Sequence, residues 1–252
     1  MSPLNFLQGK TAVVTGGSGT IGKAIAKALT KTGCNVFITG RNQERLDAAV
    51  KDLTKDNANN GGVHAVCCDV LNEDAVIDMF QEADRMYGNV DLLVNNAGTV
   101  KPGPTHEMSV EDFDRVLRVN VTGPFICSKA AINMMKSKGK GGRIINIGSL
   151  SAHSPRPDQA PYTTSKFALL GLTNSLALDC RKDNIAVGII NPGNVSSDIL
   201  TPEEIETRGS AEGFMSAEAV ADSVVAMSSL PYNANVLEMT VLPTRQPFIG
   251  RG

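Results

Sequence analysis

The glycine-rich turn at residues 16–22 limits the folds that are open to this chain. It joins a short β-rich run, Lys10–Thr15, to a stretch in which apolar residues recur at helical spacing and which ends at Gly33. A glycine directly after the last helical residue is typical of a helix C-cap. Residues 10–33 therefore predict a strand, a tight turn and a helix, the first part of a βαβ unit.

The same alternation continues along the rest of the sequence. Further strands are predicted at NVFITG, VHAVCCDV, DLLVNNAG, RIINI, IAVGIINPG and VLEMTVL. Helices are predicted at residues 41–55, 73–87, 109–119, 124–138, 160–180 and 217–228. Alternating strands and helices form a parallel sheet with right-handed crossovers. We therefore predict an α/β fold, a doubly wound (Rossmann) parallel sheet of about seven strands with helices on both faces.

The domain organisation follows from the lack of any break in this alternation. No internal repeat, low-complexity segment or linker appears, so residues 1–252 are predicted to form one domain. Within it, residues 194–215 contain glycines, Pro202 and several acidic residues. This composition is typical of a mobile lid over a substrate.

Composition and charge exclude several classes of function. The net charge of −2 provides no basic field for nucleic acid, and no segment approaches the ~20 apolar residues of a membrane span. The first ten residues lack the features of a signal peptide. The five cysteines show no C-x-x-C spacing, which argues against a metal site. We therefore expect a cytoplasmic protein with reduced thiols and with no nucleic-acid or membrane partner.

Tyr162 and Lys166 are four residues apart on a predicted helix and therefore share one face. An ammonium beside a phenol favours the phenolate, so we expect Lys166 to lower the pKa of Tyr162 from about 10. A tyrosine tuned in this way is a general acid or base near neutral pH. Ser149 ends the RIINI run and is expected at the crevice where open α/β sheets bind ligands. For the Tyr162–Lys166 pair alone, a solvated helix face is the alternative.

The turn TGGSGTIG lies in the first βα unit, where a dinucleotide-binding fold needs it. Glycines let the backbone approach a pyrophosphate, which then lies at the positive end of the helix. Asp69 is expected either to accept a hydrogen bond from an adenine amine or to cap the next helix. The NNAG loop, Asn95–Gly98, is expected beside the next part of the cofactor, with a simple turn as the alternative.

The end of the second predicted strand bears on the choice of dinucleotide. In such folds an acidic residue there binds the ribose 2′-hydroxyl of NAD(H). This chain has Gly40 followed by Arg41, whose guanidinium suits a 2′-phosphate. Thr39, Asn42 and Ser18 are expected to add neutral donors. We therefore predict NADP(H) in preference to NAD(H); the alternative is an Arg41 that is solvated and only opens a helix.

Together these features resemble the short-chain dehydrogenase/reductase family over nearly the whole chain. The matching segments are TGGSGTIG, Asp69, NNAG, Asn120 in RVNVTG, Ser149 in NIGS, YTTSK, and NPG at Asn191–Gly193. The resemblance implies a nicotinamide cofactor and a catalytic tetrad of Asn120, Ser149, Tyr162 and Lys166. The predicted cofactor-binding set is then Gly16, Ser18, Thr20, Ile21, Gly22, Arg41, Asp69, Val70, Asn96, Ala97, Gly98, Tyr162, Lys166, Pro192, Gly193, Val195 and Ser197.

One position departs from the family pattern T-G-x-x-x-G-x-G. The second glycine of the pattern falls on Thr20, and Gly19 lies one place early. A Cβ at residue 20 is expected to crowd the approach of the backbone to phosphate, while the threonine hydroxyl offers a direct bond. The departure affects the expected geometry of the turn and not the predicted cofactor.

The activity that the resemblance implies is hydride transfer between NADP(H) and a carbonyl or secondary-alcohol substrate, with Tyr162 as general acid/base. Ser149 would bond the substrate oxygen, and Lys166 would hold the nicotinamide ribose. Asn120 would position a water for a proton relay; the alternative is an amide that satisfies backbone groups at a helix break. The nearby groups that suggest polar substrate recognition are His106, His153 and Arg156, although each alone is typical of a surface loop.

Two other functions fit parts of the sequence. One is a catalytically silent regulatory or scaffold protein that binds NADP(H), which would have no physical need for all four tetrad groups. The other is a family isomerase or dehydratase, for whose longer C-terminal domain this chain leaves little room. The resemblance also implies a homo-oligomer, a tetramer built through apolar elements at Phe125–Met135 and Val236–Leu242.

Overall fold

The computed structural model describes residues 6–55, 61–197, 206 and 211–249. Within these residues, strands and helices alternate along the chain. The strands are β1 Thr11–Thr15, β2 Asn35–Gly40, β3 Val63–Cys67, β4 Leu92–Asn95, β5 Gly142–Ile147, β6 Ile185–Pro192 and β7 Glu238–Val241. The helices are α1 Thr20–Lys31, α2 Gln43–Thr54, α3 Glu73–Tyr87, α4 Val110–Leu117, α5 Gly123–Lys138, α6 Ala160–Asp179 and α7 Ala217–Ser228.

The seven strands lie in one parallel sheet, in the order β3-β2-β1-β4-β5-β6-β7. β1 pairs with β2 on one side and with β4 on the other, so the direction of winding reverses there. In an open α/β sheet, the carboxyl ends of the strands at such a reversal border a crevice that binds ligands. The predicted doubly wound parallel sheet of seven strands is confirmed.

Alternate residues of each strand enter two separate cores, because neighbouring side chains of a strand point to opposite faces. Ala12 and Val14 of β1 pack with apolar side chains of α1, α2 and α7, whereas Val13 packs with those of α3, α5 and α6. Helices therefore cover both faces, and the strand ends remain as the open part of the sheet. No helix in the described part of the chain is long and apolar enough to cross a membrane.

Helix α3 illustrates how local sequence sets an element. The Asn72 side chain accepts a hydrogen bond from the backbone N–H three residues later, which caps the helix. Gly88 ends the helix with a φ of +77°, a conformation that glycine adopts readily. Between them, Val76, Phe80 and Ala83 recur at helical spacing and are buried. The observed helix has the predicted bounds.

The structure differs from the predictions at three places near the site. β3 ends at Cys67, so Asp69 lies in the following loop and not at the end of the strand. Ser149 lies beyond β5, where it opens a short 3-10 turn. A π-helical turn, Arg118–Thr122, joins α4 to α5, where only a gap between two helices was predicted. The predicted lid, residues 194–215, lies largely outside the described residues.

Candidate active site

The turn that follows β5 brings Ser149 to Tyr162. Ser149 is the N-cap of this turn, and its hydroxyl accepts a hydrogen bond from the N–H of Ser151 at 3.1 Å. Tyr162 lies in the first turn of α6 after Pro161, which suits that place because the first helical N–H groups have no helical acceptor. Ser149 is close enough to Tyr162 to act as a hydrogen-bond partner that lowers the pKa of the phenol. The two predicted catalytic residues are therefore neighbours in space.

Lys166 lies one turn further along α6 and is buried, with 6% of its surface exposed. Its Nζ donates a hydrogen bond to the carbonyl of Ile147, the last residue of β5, at 2.9 Å. The same atom lies 5.4 Å from the centroid of the Tyr162 ring. An ammonium has three N–H donors, so two are left for another partner. The structure joins Ser149, Tyr162 and Lys166 in one cluster.

Burial governs the protonation of both ionisable groups in this cluster. It raises the pKa of Tyr162 above its usual value, and the hydrogen bond with Ser149 acts in the opposite direction. Burial also lowers the pKa of Lys166 to about 8. The pKa of Tyr162 is therefore raised in this structure, and the net lowering expected from the sequence is wrong. The ammonium lies over the ring and bonds a backbone carbonyl, while desolvation disfavours both charged forms.

Asn120 lies in the π-helical turn and is fully buried. Its Oδ1 accepts from the N–H of Thr99 at 2.8 Å. Its Nδ2 donates to the carbonyl of Thr99 at 2.9 Å and to the hydroxyl of Ser165 at 3.0 Å. The amide thus ties the loop after β4 to α6, as expected at a helix break. Pro124 has no N–H to offer the Asn120 carbonyl, which therefore cannot receive an α-helical hydrogen bond. The role of Asn120 in placing a water stays a prediction.

Three glycines allow the tight turn between β1 and α1. Gly16 has a φ of +64°, which residues with side chains rarely adopt. A Cβ on Gly17 would lie 2.5 Å from the Cβ of Ile38, and one on Gly22 would lie 2.3 Å from the carbonyl oxygen of Gly16. The turn is so close to its neighbours that only glycine fits at these positions.

Thr20 is the first residue of α1, and Gly19 before it is the N-cap. Helical backbone does not require glycine, so the departure from the family pattern leaves the turn undistorted. A Cβ on Gly19 would have only the Gly16 carbonyl oxygen within 4 Å, at 3.5 Å. The first turn of α1 contains no acidic residue and Gly19 provides no side-chain cap. The positive end of α1 therefore carries no acidic side chain of its own that would compete with an anion.

Thr15 holds the NNAG loop against the glycine turn. Its hydroxyl oxygen accepts hydrogen bonds from the N–H groups of Asn96 and Ala97, both at 3.0 Å. The Asn96 amide donates to the carbonyls of Thr15 and Gly16 at 3.0 and 3.2 Å. Gly98 follows and is exposed. The loop is thus more than a simple turn, because it fastens the carboxyl ends of β1 and β4 to each other.

Asp69 and Val70 occupy the loop after β3. The Oδ1 of Asp69 accepts from the N–H of Leu71 at 3.0 Å, and Asn72 is the residue that caps α3. Asp69 is exposed, so it remains accessible to an adenine amine, and the helix cap that was its alternative is excluded. Val70 is buried against α5, where a Cβ on Gly123 would lie 2.8 Å from its Cγ2. A cofactor would therefore meet the backbone of Val70 and not its side chain.

Ser18 lies beside Gly40 at the end of β2, and Arg41 follows Gly40 in the chain. A Cβ on Gly40 would lie 3.4 Å from the Oγ of Ser18, and Arg41 is exposed. The Oδ1 of Asn42 caps α2, which leaves its NH2 group as a donor. Thr39 is fully buried, and its hydroxyl donates to a carbonyl of β3 at 2.8 Å. The expectation that Thr39 offers a donor to phosphate is therefore wrong.

The NPG segment leads out of the sheet beside α1. Pro192 ends β6, and the N–H of Gly193 donates to a carbonyl of β7 at 2.8 Å. Val195 is buried in a small apolar cluster against which Ile21 of α1 packs. Ser197 is half-buried. The glycine turn and the segment after NPG are thus adjacent.

These segments fit a nicotinamide dinucleotide. At one end, α1 offers backbone N–H groups without a competing carboxylate in its first turn. At the other end, the buried ammonium of Lys166 retains donors that suit ribose hydroxyls. Between them, Gly98 carries no side chain that would cover the ends of the central strands. A long, anionic and hydroxyl-bearing ligand matches this sequence of groups.

Asn191 is a site residue that its motif alone does not reveal. Its Oδ1 accepts a hydrogen bond from the N–H of Ser149 at 3.2 Å. Its Nδ2 donates to Glu238 at 2.7 Å. An asparagine directly before the Pro-Gly turn is the available signal, but Glu238 is distant in sequence and only the sheet order brings it near.

The three groups considered for polar substrate recognition are each next to a carboxylate. His106 is exposed beside an acidic neighbour. His153 bonds Glu238, and Arg156 bonds Glu212 at 2.6 Å. Each of them therefore already has an acidic partner within the protein, and none of them alone indicates a charged substrate.

Comparison with known proteins agrees with this geometry. The family model described as short chain dehydrogenase matches residues 10–207. A 3-oxoacyl-(acyl-carrier-protein) reductase FabG of Aquifex aeolicus is 35% identical over 231 residues, 88% of this chain and 91% of the relative. Glucose 1-dehydrogenase 2 of Bacillus subtilis is 38% identical over 194 residues, 76% of this chain and 74% of the relative.

A solved structure extends the match to the whole fold. The crystal structure of a short-chain type dehydrogenase/reductase from Mycobacterium marinum superposes with a TM-score of 0.89 at 27% identity, covering 96% of this chain and 98% of that chain. The chain therefore belongs to the short-chain dehydrogenase/reductase family of NAD(P)(H)-dependent oxidoreductases.

Proposed function

We propose that this chain is an NADP(H)-dependent carbonyl reductase or alcohol dehydrogenase with Tyr162 as its general acid/base. The cluster of Ser149, Tyr162 and Lys166 carries the proposal. It brings a phenol close to a hydroxyl that favours the ionised phenol, and it sets an ammonium 5.4 Å from the centroid of the phenol ring. Proton transfer to a carbonyl oxygen needs a proton donor, a hydrogen-bond donor to that oxygen and a nearby positive charge, and Tyr162, Ser149 and Lys166 can provide these in that order.

When bound, the nicotinamide supplies or accepts the hydride at the substrate carbon. In reduction, Tyr162 gives its proton to the carbonyl oxygen, and in oxidation it takes a proton from the alcohol. Tyrosine is protonated at neutral pH, and burial raises the pKa of Tyr162 further, which suits the reductive direction. Ser149 donates a hydrogen bond to the same oxygen as negative charge develops. A donor in that role is worth about 3–4 kcal/mol of the barrier.

Lys166 and Asn120 support the proton transfer. The ammonium of Lys166 stabilises the phenolate that reduction leaves on Tyr162, because opposite charges attract strongly in a buried site. The remaining N–H groups of Lys166 bind the nicotinamide ribose. Asn120 positions a water through its backbone carbonyl, for which Pro124 has no N–H. That water connects Lys166 with solvent and restores the proton.

The preference for NADP(H) over NAD(H) rests on the end of β2. Gly40 provides no carboxylate to bind a ribose 2′-hydroxyl or to repel a 2′-phosphate. Arg41 is exposed next to it, and the Oγ of Ser18 is close to the same place. A guanidinium forms paired, charge-assisted hydrogen bonds with phosphate. Asn42 adds its NH2 group to these donors.

A carbonyl or secondary alcohol is the proposed substrate class. One relative is named as a reductase of a 3-oxoacyl carrier protein and the other as a dehydrogenase of glucose. The two names share oxidoreductase chemistry but not a substrate. We therefore propose the reaction class without either of those substrates.

A cytoplasmic location is also proposed. All five cysteines are unpaired, and four of them are buried. Burial raises the pKa of Cys34 and of Cys127 to about 12, which keeps these thiols protonated. Free thiols persist in a reducing compartment.

The proposed function is tested by turnover of a panel of ketones, aldehydes and hydroxy acids, followed by cofactor absorbance. We expect wild type to turn over members of the panel and Tyr162→Phe to lose at least ~100-fold in kcat, since general acid catalysis is worth about 10²–10⁴. Phenylalanine preserves the packing of the ring, so the fold and the Kd of NADPH should be unchanged.

Tyr87→Phe is the matched control, because it removes the same hydroxyl from an exposed residue of α3. It should keep the wild-type kcat. A Tyr162→Phe protein with more than about a tenth of wild-type kcat would contradict the role of Tyr162. Tight binding of NADPH with no turnover of any panel member would favour the regulatory alternative.

A further inference from the structure

A side chain of the neighbouring strand holds the backbone of Ser149. The N–H of Ser149 donates to the Oδ1 of Asn191 at 3.2 Å, and Asn191 is fully buried near the end of β6. Gly148 makes room for this contact, because a Cβ on Gly148 would lie 2.1 Å from that oxygen. The N–H of Gly148 also donates to the carbonyl of Ile190 at 2.7 Å. The path of the chain from β5 to Ser149 is therefore set by β6.

Glu238, the first residue of β7, decides which way the Asn191 amide is turned. The Nδ2 of Asn191 donates to the Oε1 of Glu238 at 2.7 Å. With the amide reversed, its oxygen would face the carboxylate and its NH2 group would face the N–H of Ser149. Both contacts would then be repulsive. The carboxylate on β7 thus ensures that an acceptor meets Ser149.

His153 adds a second donor to the same carboxylate oxygen. Its Nε2 lies 2.5 Å from the Oε1 of Glu238 and 3.2 Å from the Nδ2 of Asn191. A bare ring nitrogen would oppose its lone pair to the carboxylate, so Nε2 carries a hydrogen and donates it to Glu238. His153 lies in the turn that Ser149 opens. Glu238 therefore binds both the amide that holds Ser149 and the chain that follows it.

We propose that Asn191, Glu238 and His153 form a clamp that positions Ser149 for catalysis. The proposal rests on the proposed function only through the role of Ser149. The three members are positioning residues, because each acts through Ser149 and not on the reacting atoms. In the pairing of β6 with β7, Glu238 lies opposite Ile189, two residues before Asn191 on the same face. The clamp therefore links the active site to the register of the edge strand.

The partly exposed contact between His153 and Glu238 contributes little stability by itself, since even exposed ion pairs are worth only about 0–1 kcal/mol. Its effect lies in the orientation of a buried amide. Loss of the clamp should therefore change kcat more than it changes the free energy of unfolding or the KM for NADPH.

The first test reverses a contact and then restores it. Asn191→Asp sets a carboxylate against Glu238, and we expect kcat to fall about tenfold or more through like-charge repulsion. Glu238→Gln keeps an acceptor for Asn191 and should hold kcat within about threefold of wild type. In the double variant the new amide on β7 can donate to the new carboxylate on β6, so kcat should recover to within about threefold. A double variant as impaired as Asn191→Asp alone would overturn the clamp.

The second test asks whether the effect passes through Ser149. Glu238→Met removes the acceptor and should lower kcat about tenfold in the wild-type background, but less than about twofold in the Ser149→Ala background. Thr240→Val, on the same strand, is the control for damage to β7 and should keep wild-type kcat. Equal losses from Glu238→Met in both backgrounds would mean that Glu238 acts elsewhere, and the proposal would fail.

A third measurement needs no turnover. The Ser149 hydrogen bond lowers the pKa of Tyr162, so displacing Ser149 should move the absorbance titration of Tyr162 to higher pH. Subtracting the titration of Tyr162→Phe isolates this residue. A move in Glu238→Met and in Asn191→Asp, absent in the double variant of the first test, supports the clamp even in a protein that turns over no substrate. An unmoved titration in both single variants overturns the clamp even if the proposed reaction is found.

Discussion

Arg41 is the residue on which the cofactor preference depends. Its exposed side chain follows Gly40 directly, and Gly40 carries no carboxylate. If it makes paired charged bonds to the 2′-phosphate, Arg41→Ala should cost kcat/KM for NADPH about 1.5–3 kcal/mol and leave kcat/KM for NADH nearly unchanged. Steady-state kinetics with both cofactors measures the two changes.

Arg45→Ala is the matched control for Arg41→Ala. Arg45 is exposed in the first turn of α2, four residues after Arg41, so its loss removes the same charge from a neighbouring position. It should lower kcat/KM for NADPH by less than about twofold, because exposed charges at a distance are screened by salt. A wild type that prefers NADH, or equal losses for both cofactors in Arg41→Ala, would refute the preference.

The buried Lys166 should make the free energy of unfolding depend on pH. Its pKa is about 8 in the folded protein and 10.5 as the reference value, so below pH 8 the fold bears the full cost of a buried charge. Between pH 8 and 10.5 the unfolded chain binds more protons, and wild type gains stability as pH rises. Between about pH 7 and pH 10.5, the free energy of unfolding of wild type should rise by about 3 kcal/mol relative to that of Lys166→Met. Urea unfolding of both proteins at each pH measures this difference.

The sign of that difference is the informative result. Both proteins share every other titrating group, so subtracting their unfolding free energies isolates Lys166 to first order. The free energy of unfolding of wild type should rise relative to that of Lys166→Met as pH increases. A difference that stays constant with pH would show that burial does not lower the pKa of Lys166.

At the residue scale, sequence reasoning identified the cluster but not its electrostatics. The spacing of Tyr162 and Lys166 places them on one face of a helix, and the structure agrees. The sequence does not contain the depth at which α6 is buried, and that depth raises the pKa of Tyr162. The expectation that Thr39 is a donor to phosphate is wrong for a similar reason. Only the pairing of β2 with β3 shows that its hydroxyl already donates to a backbone carbonyl of β3.

At the element scale, Arg143 anchors the connection from α7 to β7. It is 1% exposed in β5, and its Nη2 lies 2.9–3.2 Å from the backbone carbonyl oxygens of residues 230, 231 and 234. Its two hydrogens serve these three acceptors, so one hydrogen is shared. Arg143→Met would leave these carbonyls without that donor. We expect a loss of about 2–4 kcal/mol in the free energy of unfolding, since bonds to a charged group are worth about 1.5–3 kcal/mol each before its desolvation is subtracted.

Arg143→Lys separates charge from geometry in this anchor. A lysine keeps the charge but not the planar fork of the guanidinium, so its stability should lie between those of wild type and Arg143→Met. Chemical unfolding gives the order of the three proteins. An Arg143→Met protein as stable as wild type would mean that the desolvation free energy of the buried guanidinium equals the stabilisation from its hydrogen bonds to the three carbonyls.

Elements were predictable from sequence where their end signals are local. Asn72 and Gly88 bound α3, and its predicted and observed limits coincide. The π-helical turn Arg118–Thr122 was not predictable, because Asn120 stabilises it through Thr99 and Ser165 from other parts of the chain. The 3-10 turn after Ser149 likewise depends on a partner in β6.

At the scale of the whole molecule, exposed apolar side chains predict assembly. Phe125, Phe167 and Leu178 lie on α5 and α6 with 46–61% of their surfaces exposed. β7 lies at the edge of the sheet, with Leu237 exposed beside it. Exposed helix faces and an edge strand favour pairing with further copies about two-fold axes. We therefore propose a homotetramer, and light scattering at micromolar concentration should give four times the chain mass of 26.6 kDa.

A pair of substitutions tests which surface is used. Phe125→Glu with Phe167→Glu puts charge on the helical face, and the tetramer should separate into smaller species. Met86→Glu, which changes an exposed apolar residue of α3, should leave the mass unchanged. A wild type that scatters light as a monomer would refute the assembly.

The overall fold was the most predictable level. Seven β-rich runs alternating with helical patterns leave a parallel sheet as the solution, and the glycine turn between β1 and α1 indicates where its ligand end lies. Contacts between distant parts of the chain, such as Asn191 with Glu238, follow only once the strand order is known. Candidate site residues that belong to a recognisable sequence motif could therefore be predicted. The contact of Asn191 with Ser149 could not.

The order of the strands in the sheet also determines when each part of the site can form during synthesis on the ribosome. After β4 pairs with β1, each later strand is added beside the one before it, and β7 comes last. At about 5–20 residues per second, Ser149 leaves the ribosome several seconds before Glu238 does. A nascent chain can therefore complete its cofactor turn and its Tyr162–Lys166 pair while the serine is still unclamped. Catalytic activity would therefore appear only after β7 has been added to the sheet.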